Sequence, residues 1–458
     1  MKNPLRKRLF CELKGEAGKY FVIFFLLMSI IGFVSGFLVA DGSMLTAYNE
    51  SFEKYNIEDG NFTVKEKVNR AQQKEIAKSD VTLYENFYAE PVLTNGSTMR
   101  IFKNRGEVNR VCLMKGEFPK SADEIAIDRM VWKKSWMQDI ITEEEGRREW
   151  KITGLVALSD YSCLFSDNND SMFDAVKFGV GIVTEEAFDT FNTDNMTCNY
   201  SWKYGKEPKG ETEEKNVAED FMKVLNNEVS LETFVPRYSN QAIQFTGEDM
   251  GSDRMMMIIL LYIVIAILAF VFGITISNTI HKESTVIGTL RASGYTRREL
   301  ILHYMTAPML VTFAGAVVGN ILGYTVLKNV CAGMYYGSYS LPTYVTLWNG
   351  EAFVMTTIVP VFLMAVINFF LLKRTLSLSP LKFLRRDLKK RKQKYTLPLS
   401  ARIPFFSRFR LRVIFQNVSN YVVLTVGILF ANLLLMFGLM LPQILNHYQT
   451  EIEKNLLC

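Results

Sequence analysis

Five stretches of roughly 20 residues in this chain are almost free of charge, and that is the length a helix needs to cross the hydrocarbon core of a bilayer. They run from Tyr20 to Ala40, Met255 to Ser277, Ala307 to Leu327, Ala352 to Leu372 and Tyr421 to Leu441. Pro308 and Pro360 are tolerable inside such helices, because neighbouring helices satisfy the freed backbone groups. The expected fold is a multi-pass α-helical membrane protein of about five spans. Lys2, Arg6, Lys7 and Arg8 precede the first run as they would a signal peptide. Its apolar stretch is too long for one, however, and no small-residue cleavage site follows Ala40, so a retained helix is expected.

Charge orients the spans. Between Gly42 and Arg254 there are 26 Lys and Arg against 38 Asp and Glu, while the rest of the chain holds 26 against 9. Lys373 to Arg412 carries 14 basic residues and one acid, Asp387. Short basic loops stay in the cytoplasm, so that linker is expected inside, the acidic insert outside and the N-terminus inside. The uncharged loop Asn329 to Gly350 then falls outside, and all five spans alternate. A basic run such as LKKRKQK also occurs in nucleic-acid binders, but beside a span it reads as a topology signal touching anionic lipid. No nucleic-acid partner is expected.

The organisation that follows has five parts. Residues 1–41 are the cytoplasmic N-terminus and first helix, and 42–254 an extracytoplasmic domain. Residues 255–373 hold three helices, 374–418 the basic linker and 419–458 a further helix. Within the insert, EWKITGLVAL and VKFGVGIV read as strands, the second stopped at Thr184, whose hydroxyl suits the N-cap of EEAFDTF. VNRAQQKEIAKSD reads as a helix, and ETEEKNVAEDFMKVLNN as another with Val217, Phe221, Val224 and Leu225 on one face. Strands and helices without a strict βαβ rhythm give an inserted α+β domain. Its three cysteines, Cys112, Cys163 and Cys198, allow at most one disulfide within it.

Between the second and third spans lies HKESTVIGTLRASGYTRREL, residues 281–300. Val286, Ile287 and Leu290 fall on one face of a short helix, flanked by Lys282, Glu283 and Arg291. Gly294 suits the left-handed position that ends a helix, and Thr296-Arg-Arg-Glu299 reads as a capping box opening the next. The segment is therefore a helical hairpin with an apolar ridge at the cytoplasmic surface. The ridge fits either lipid headgroups or a cytoplasmic partner. In the following span Gly315, Gly319 and Gly323 recur every fourth residue, a spacing that lets two helices approach closely in lipid.

Enzymatic signatures are missing from the sequence. There is no G-x-x-x-x-G-K-S/T loop for a nucleotide, and His281, His303 and His447 lie far apart without metal-ligand spacing. No enzyme activity and no cofactor are expected of this chain.

From Glu283 through Gly288, Leu290, Arg291, Gly294, Tyr295, Arg297 and Glu299 to Leu300, followed by the glycine-spaced helix, the segment closely resembles the signature of FtsX-like (MacB-like) ABC transporter permeases. VCLMKGEFPKSADEIAID resembles a stretch of that family's extracytoplasmic core domain, and SLSPLKFLRRDL its Pro-x-x-x-Leu-Arg element. The resemblance covers residues 1 to about 390, one unit of a helix, an outer domain and three helices. It implies a membrane subunit in a plasma membrane whose segment 281–300 contacts a separate ABC ATPase, the subunit that binds ATP. A second permease unit or a second copy is implied as a further partner. An Arg-rich stretch running into a span occurs at the N-terminus and again from near Phe406, as though a second unit begins and stops short. The competing expectation is a membrane-anchored sensor, with an outer domain that binds a ligand and a linker that recruits a signalling protein.

Overall fold

All five charge-poor stretches are helices long and apolar enough to cross a membrane. The computed structural model describes residues 14–134, 140–143, 148–191, 196–385, 404–416 and 418–456. Within the basic linker, residues 386–403 and 417 lie outside the described residues.

Helix α1 (Ala17–Lys54) leads into the inserted domain. There follow β1 (Gly60–Val64), α2 (Arg70–Ile76), β2 (Val81–Glu85), β3 (Tyr88–Ala89), β4 (Thr98–Lys103), β5 (Cys112–Gly116), β6 (Glu124–Asp128) and α3 (Arg129–Lys134). The domain continues with β7 (Ile140–Thr142), β8 (Glu149–Ala157), β9 (Phe178–Val183), α4 (Glu185–Phe188), β10 (Met196–Tyr204), α5 (Glu211–Glu228) and β11 (Leu231–Pro236). The remaining elements are helical: α6 (Gln241–Lys282), α7 (Ser284–Ala292), α8 (Arg297–Leu322), α9 (Lys328–Ser338), α10 (Gly350–Phe353), α11 (Val359–Thr375), α12 (Pro380–Leu384), α13 (Phe405–Gln416) and α14 (Val418–Leu456). A π turn at Gly323–Leu327 joins α8 to α9, and another at Val354–Ile358 joins α10 to α11, so the third and fourth spans are continuous.

The chain divides into two compact units. One comprises the described parts of Lys7–Ile265 with Pro308–Met364, the other Ala266–Ala307 with the described parts of Ala365–Cys458.

The first unit holds an 11-stranded mixed sheet in the order β11-β1-β10-β3-β4-β9-β6-β8-β5, with β2 also on β10 and β7 on β8. Strand β10 serves two lobes: Cys198 to Trp202 pair with β1, while Met196 and Thr197 pair with β3. Alternation along β1 and β10 sends Phe62, Tyr200 and Trp202 to one face, where Phe221 and Leu225 of α5 complete a core. The second lobe packs Met99, Ile101, Ile125, Ile127, Val180 and Ile182 from three strands, β4, β6 and β9. The local readings hold at particular residues. Thr184 Oγ1 accepts from Ala187 N at 3.2 Å, and Asn69 and Gln72 form a full capping box at the start of α2. Cys112, Cys163 and Cys198 are free thiols, so the one disulfide the sequence allowed is not formed. A third cluster joins Cys163 and Phe165 to Phe37, Met44, Cys331 and Tyr335.

Candidate functional site

The hairpin 281–300 lies in the second unit, and its shape follows from its caps. Helix α7 ends in a Schellman motif: Tyr295 N–H reaches Leu290 O at 3.1 Å and Gly294 N–H reaches Arg291 O at 3.3 Å. The turn needs Gly294 at φ +100°, which a residue with a Cβ rarely adopts. Helix α8 then opens with the capping box, Thr296 N donating to Glu299 Oε2 at 2.8 Å and Glu299 N to Thr296 Oγ1 at 3.3 Å.

The apolar ridge is not a single exposed surface. Ile287 is fully buried, in a cluster with Ile276 and Ile280 of α6, Leu300 and Tyr304 of α8, and Leu372 of α11. Leu290 packs half-buried against the same cluster, whereas Val286 is 44% exposed. The reason is α12, which the sequence reading placed in the basic linker. Its Phe383 joins the cluster, and a Cβ on Gly288 would stand 2.8 Å from Leu384 Cγ, so only a glycine lets α12 lie this close. Arg291, at the flank of the ridge, is half-buried and donates through Nη1 to the Leu378 carbonyl. Glu283 accepts from the Tyr304 hydroxyl at 2.7 Å. The solvent-facing stripe of α7 is Thr285, Val286, Thr289 and Ala292, continued by Ser293 and Gly294 and then by Arg297 and Glu299 of α8; Tyr295 is half-exposed.

In the first unit the glycine series of α8 meets α1. A Cβ on Gly315 would stand 3.1 Å from Leu27 Cβ, one on Gly319 2.9 Å from Met28 O, and one on Gly323 2.9 Å from both Gly32 O and Gly36 N. Gly32 and Gly36 of α1 are the counterparts, spaced by four as well, and the sequence reading missed them. Between the glycines Asn320 is buried with all its polar capacity in use. Its Oδ1 accepts from Ser35 Oγ and Thr356 Oγ1, each at 2.8 Å. Its Nδ2 donates to Ala316 O at 2.8 Å and Thr357 Oγ1 at 2.9 Å. The knot ties together the first, third and fourth of the helices long and apolar enough to cross a membrane, a setting in which an unpaired amide would be costly.

The segment that holds the hairpin matches a known family. Residues 258–380 fit the model of the FtsX-like permease C-terminal domain. The chain carries an FtsX-like permease domain. The permease domain thus takes in most of α6, all of α7 to α11 and Pro380, the first residue of α12. No curated protein matches the chain. This is a transporter family, and no group of three or more His, Cys, Asp or Glu among the described residues is placed to hold a metal ion.

Proposed function

We propose that this chain is the permease subunit of an ABC transporter and that the exposed stripe of its 281–300 hairpin receives a separate ATPase, which binds the ATP. The observation that carries the reading is the anchoring of Ile287. A hairpin whose buried side interlocks with the ends of α6, α8 and α11 passes a push to three spans at once. These contacts favour the second, third and fourth spans as the carriers of that push. The charge distribution supports a plasma-membrane protein with its N-terminus and linker cytoplasmic, the linker against anionic lipid, and its sheet domain outside. A second permease unit or a second copy completes the transporter, whose cargo is a peptide, lipid or lipoprotein.

The test uses exposed positions. Val286→Asp and Thr289→Arg each place a charge in the proposed contact, and burying an unpaired charge there costs several kcal/mol. Even about 2.8 kcal/mol weakens association roughly 100-fold. Both variants are expected to lose the ATPase that co-purifies with the parent, together with permease-dependent ATP hydrolysis, while insertion and melting temperature stay unchanged. Full retention of the ATPase by both removes the docking role.

A further inference from the structure

The sheet of the inserted domain has a polar face opposite the aromatic core of Phe62, Tyr200 and Trp202. Strand register sets Thr63 beside both Asn199 and Thr233 there, and Asn61 beside Ser201. The segment 160–169, with Tyr88 and Arg100, closes the other side, leaving a cleft of about 510 Å³.

The strongest donors of this cleft are already engaged. The Arg100 guanidinium lies 4.4 Å from the Tyr88 ring centroid and donates to Glu90 at 2.7 Å, and to the Tyr161 hydroxyl and the Ser166 carbonyl at 2.8 Å each. Asn61 Nδ2 donates to Glu58 at 2.6 Å. Asn86 Nδ2 donates at 3.1 Å to Ser201 Oγ, whose own proton goes to Glu58. That relay fixes the Asn86 amide, and its free end is the carbonyl oxygen. Asn86 lines the cleft at 5% exposure, and its Oδ1 has no hydrogen-bond partner among the described residues. A buried acceptor left unpaired calls for a donor.

The charge balance points the same way. Glu58 accepts from Asn61 Nδ2, Asn109 Nδ2 and Ser201 Oγ, and Asp160 is held by Arg105 through both guanidinium Nη atoms, at 2.5 and 3.2 Å. The carboxylates left to meet a ligand lie on the rim. Glu232 of β11 is exposed and forms no hydrogen bond or ion pair among the described residues. Asp167 accepts at Oδ1 from Asn169, at 2.8 and 2.9 Å.

We propose that this cleft binds a cationic donor group, the ammonium or guanidinium of a basic peptide or of a free polyamine, with Asn86 Oδ1 as buried acceptor and Glu232 and Asp167 as the charges that face it. The cleft's chemistry is independent of the ATPase contact, and ligand binding reads the one without the other.

The full chain in nanodiscs would be titrated at low salt with tetralysine, spermidine, tetraglutamate and maltotriose. Saturable binding of tetralysine or spermidine is expected, with none of tetraglutamate. Preference between the two cations separates a peptide from a polyamine. Glu232→Gln should weaken that binding by about fivefold, the upper end for one screened charge. Thr233→Lys, on the exposed edge strand, should abolish it by setting an ammonium inside the cleft; both variants should keep the parental melting temperature. Binding of maltotriose in place of the cations overturns the assignment. So does absence of binding by any probe, which would leave a hydrated cleft, and so does cation binding unmoved by both substitutions.

Discussion

Ile287→Ala and Val286→Ala remove similar apolar bulk from adjacent residues, and the structure assigns them different outcomes. Ile287 is fully buried among Ile276, Ile280, Leu300, Tyr304, Leu372 and Phe383. Trimming a buried Ile to Ala loses the transfer energy of the deleted carbons and leaves a cavity, together about 3 kcal/mol. The cavity stays open, because Gly288 already lets α12 sit at closest approach and its backbone cannot move further in. That energy shifts the equilibrium between docked and undocked hairpin by more than about a hundredfold. Val286 is 44% exposed, and a surface truncation of this kind stays within about 0.5 kcal/mol. The assay is hydrogen exchange in nanodiscs, read on peptides spanning 284–300, because exchange in a docked element reports its local opening energy. Protection should collapse in Ile287→Ala and persist in Val286→Ala. Equal loss in both, or the reverse order, would refute an inward Ile287 and with it the anchored hairpin.

Further expectations follow from other contacts. Gly319→Leu sets a side chain where a Cβ already lies 2.9 Å from Met28 O, so α1 and α8 should separate at a cost of about 1–3 kcal/mol, seen as loss of a cysteine crosslink engineered between the two helices. Asp128 is a buried carboxyl that accepts from the Ser340 hydroxyl, and burial above all raises it to about 6. The folded state thus holds a proton that the unfolded state releases from about pH 4, so this group's stabilisation is full below about pH 4 and is lost as pH rises through about 6. The melting temperature of the purified chain should fall over that interval, and less steeply in Asp128→Asn. In a background freed of native cysteines, one placed at Ser121 should react with an impermeant thiol reagent on intact cells and one at Gln393 should not; the opposite pattern overturns the orientation.

Much of the fold was legible because its signals are local. Span length, the Gly294 turn, the Thr296–Glu299 box and the Thr184 cap each depend on residues within a few positions of one another. The site was legible in part. The segment and its helix-turn-helix form could be read directly, but not which side of α7 faces in. That is decided by Phe383 and Leu384, about ninety residues downstream in a stretch whose basic neighbours mark it as linker. The partner of Gly319 was hidden for another reason. Helix α1 is apolar all round, so its pattern singles out no face, and Gly32 and Gly36 stand out only once α8 is beside them. The cleft at Asn86 escaped notice because strand register and a distant turn assemble it.

The Asn320 knot bears on how such a protein can move. Three of the hydrogen bonds at this amide cross between helices and admit one axial register of the first, third and fourth spans; sliding any of them by a turn would strand several buried polar groups without partners. Around the knot these spans behave as one spar, free to tilt together and barred from telescoping. Replacing Asn320 with leucine would turn a ratchet with a single notch into a greased bearing.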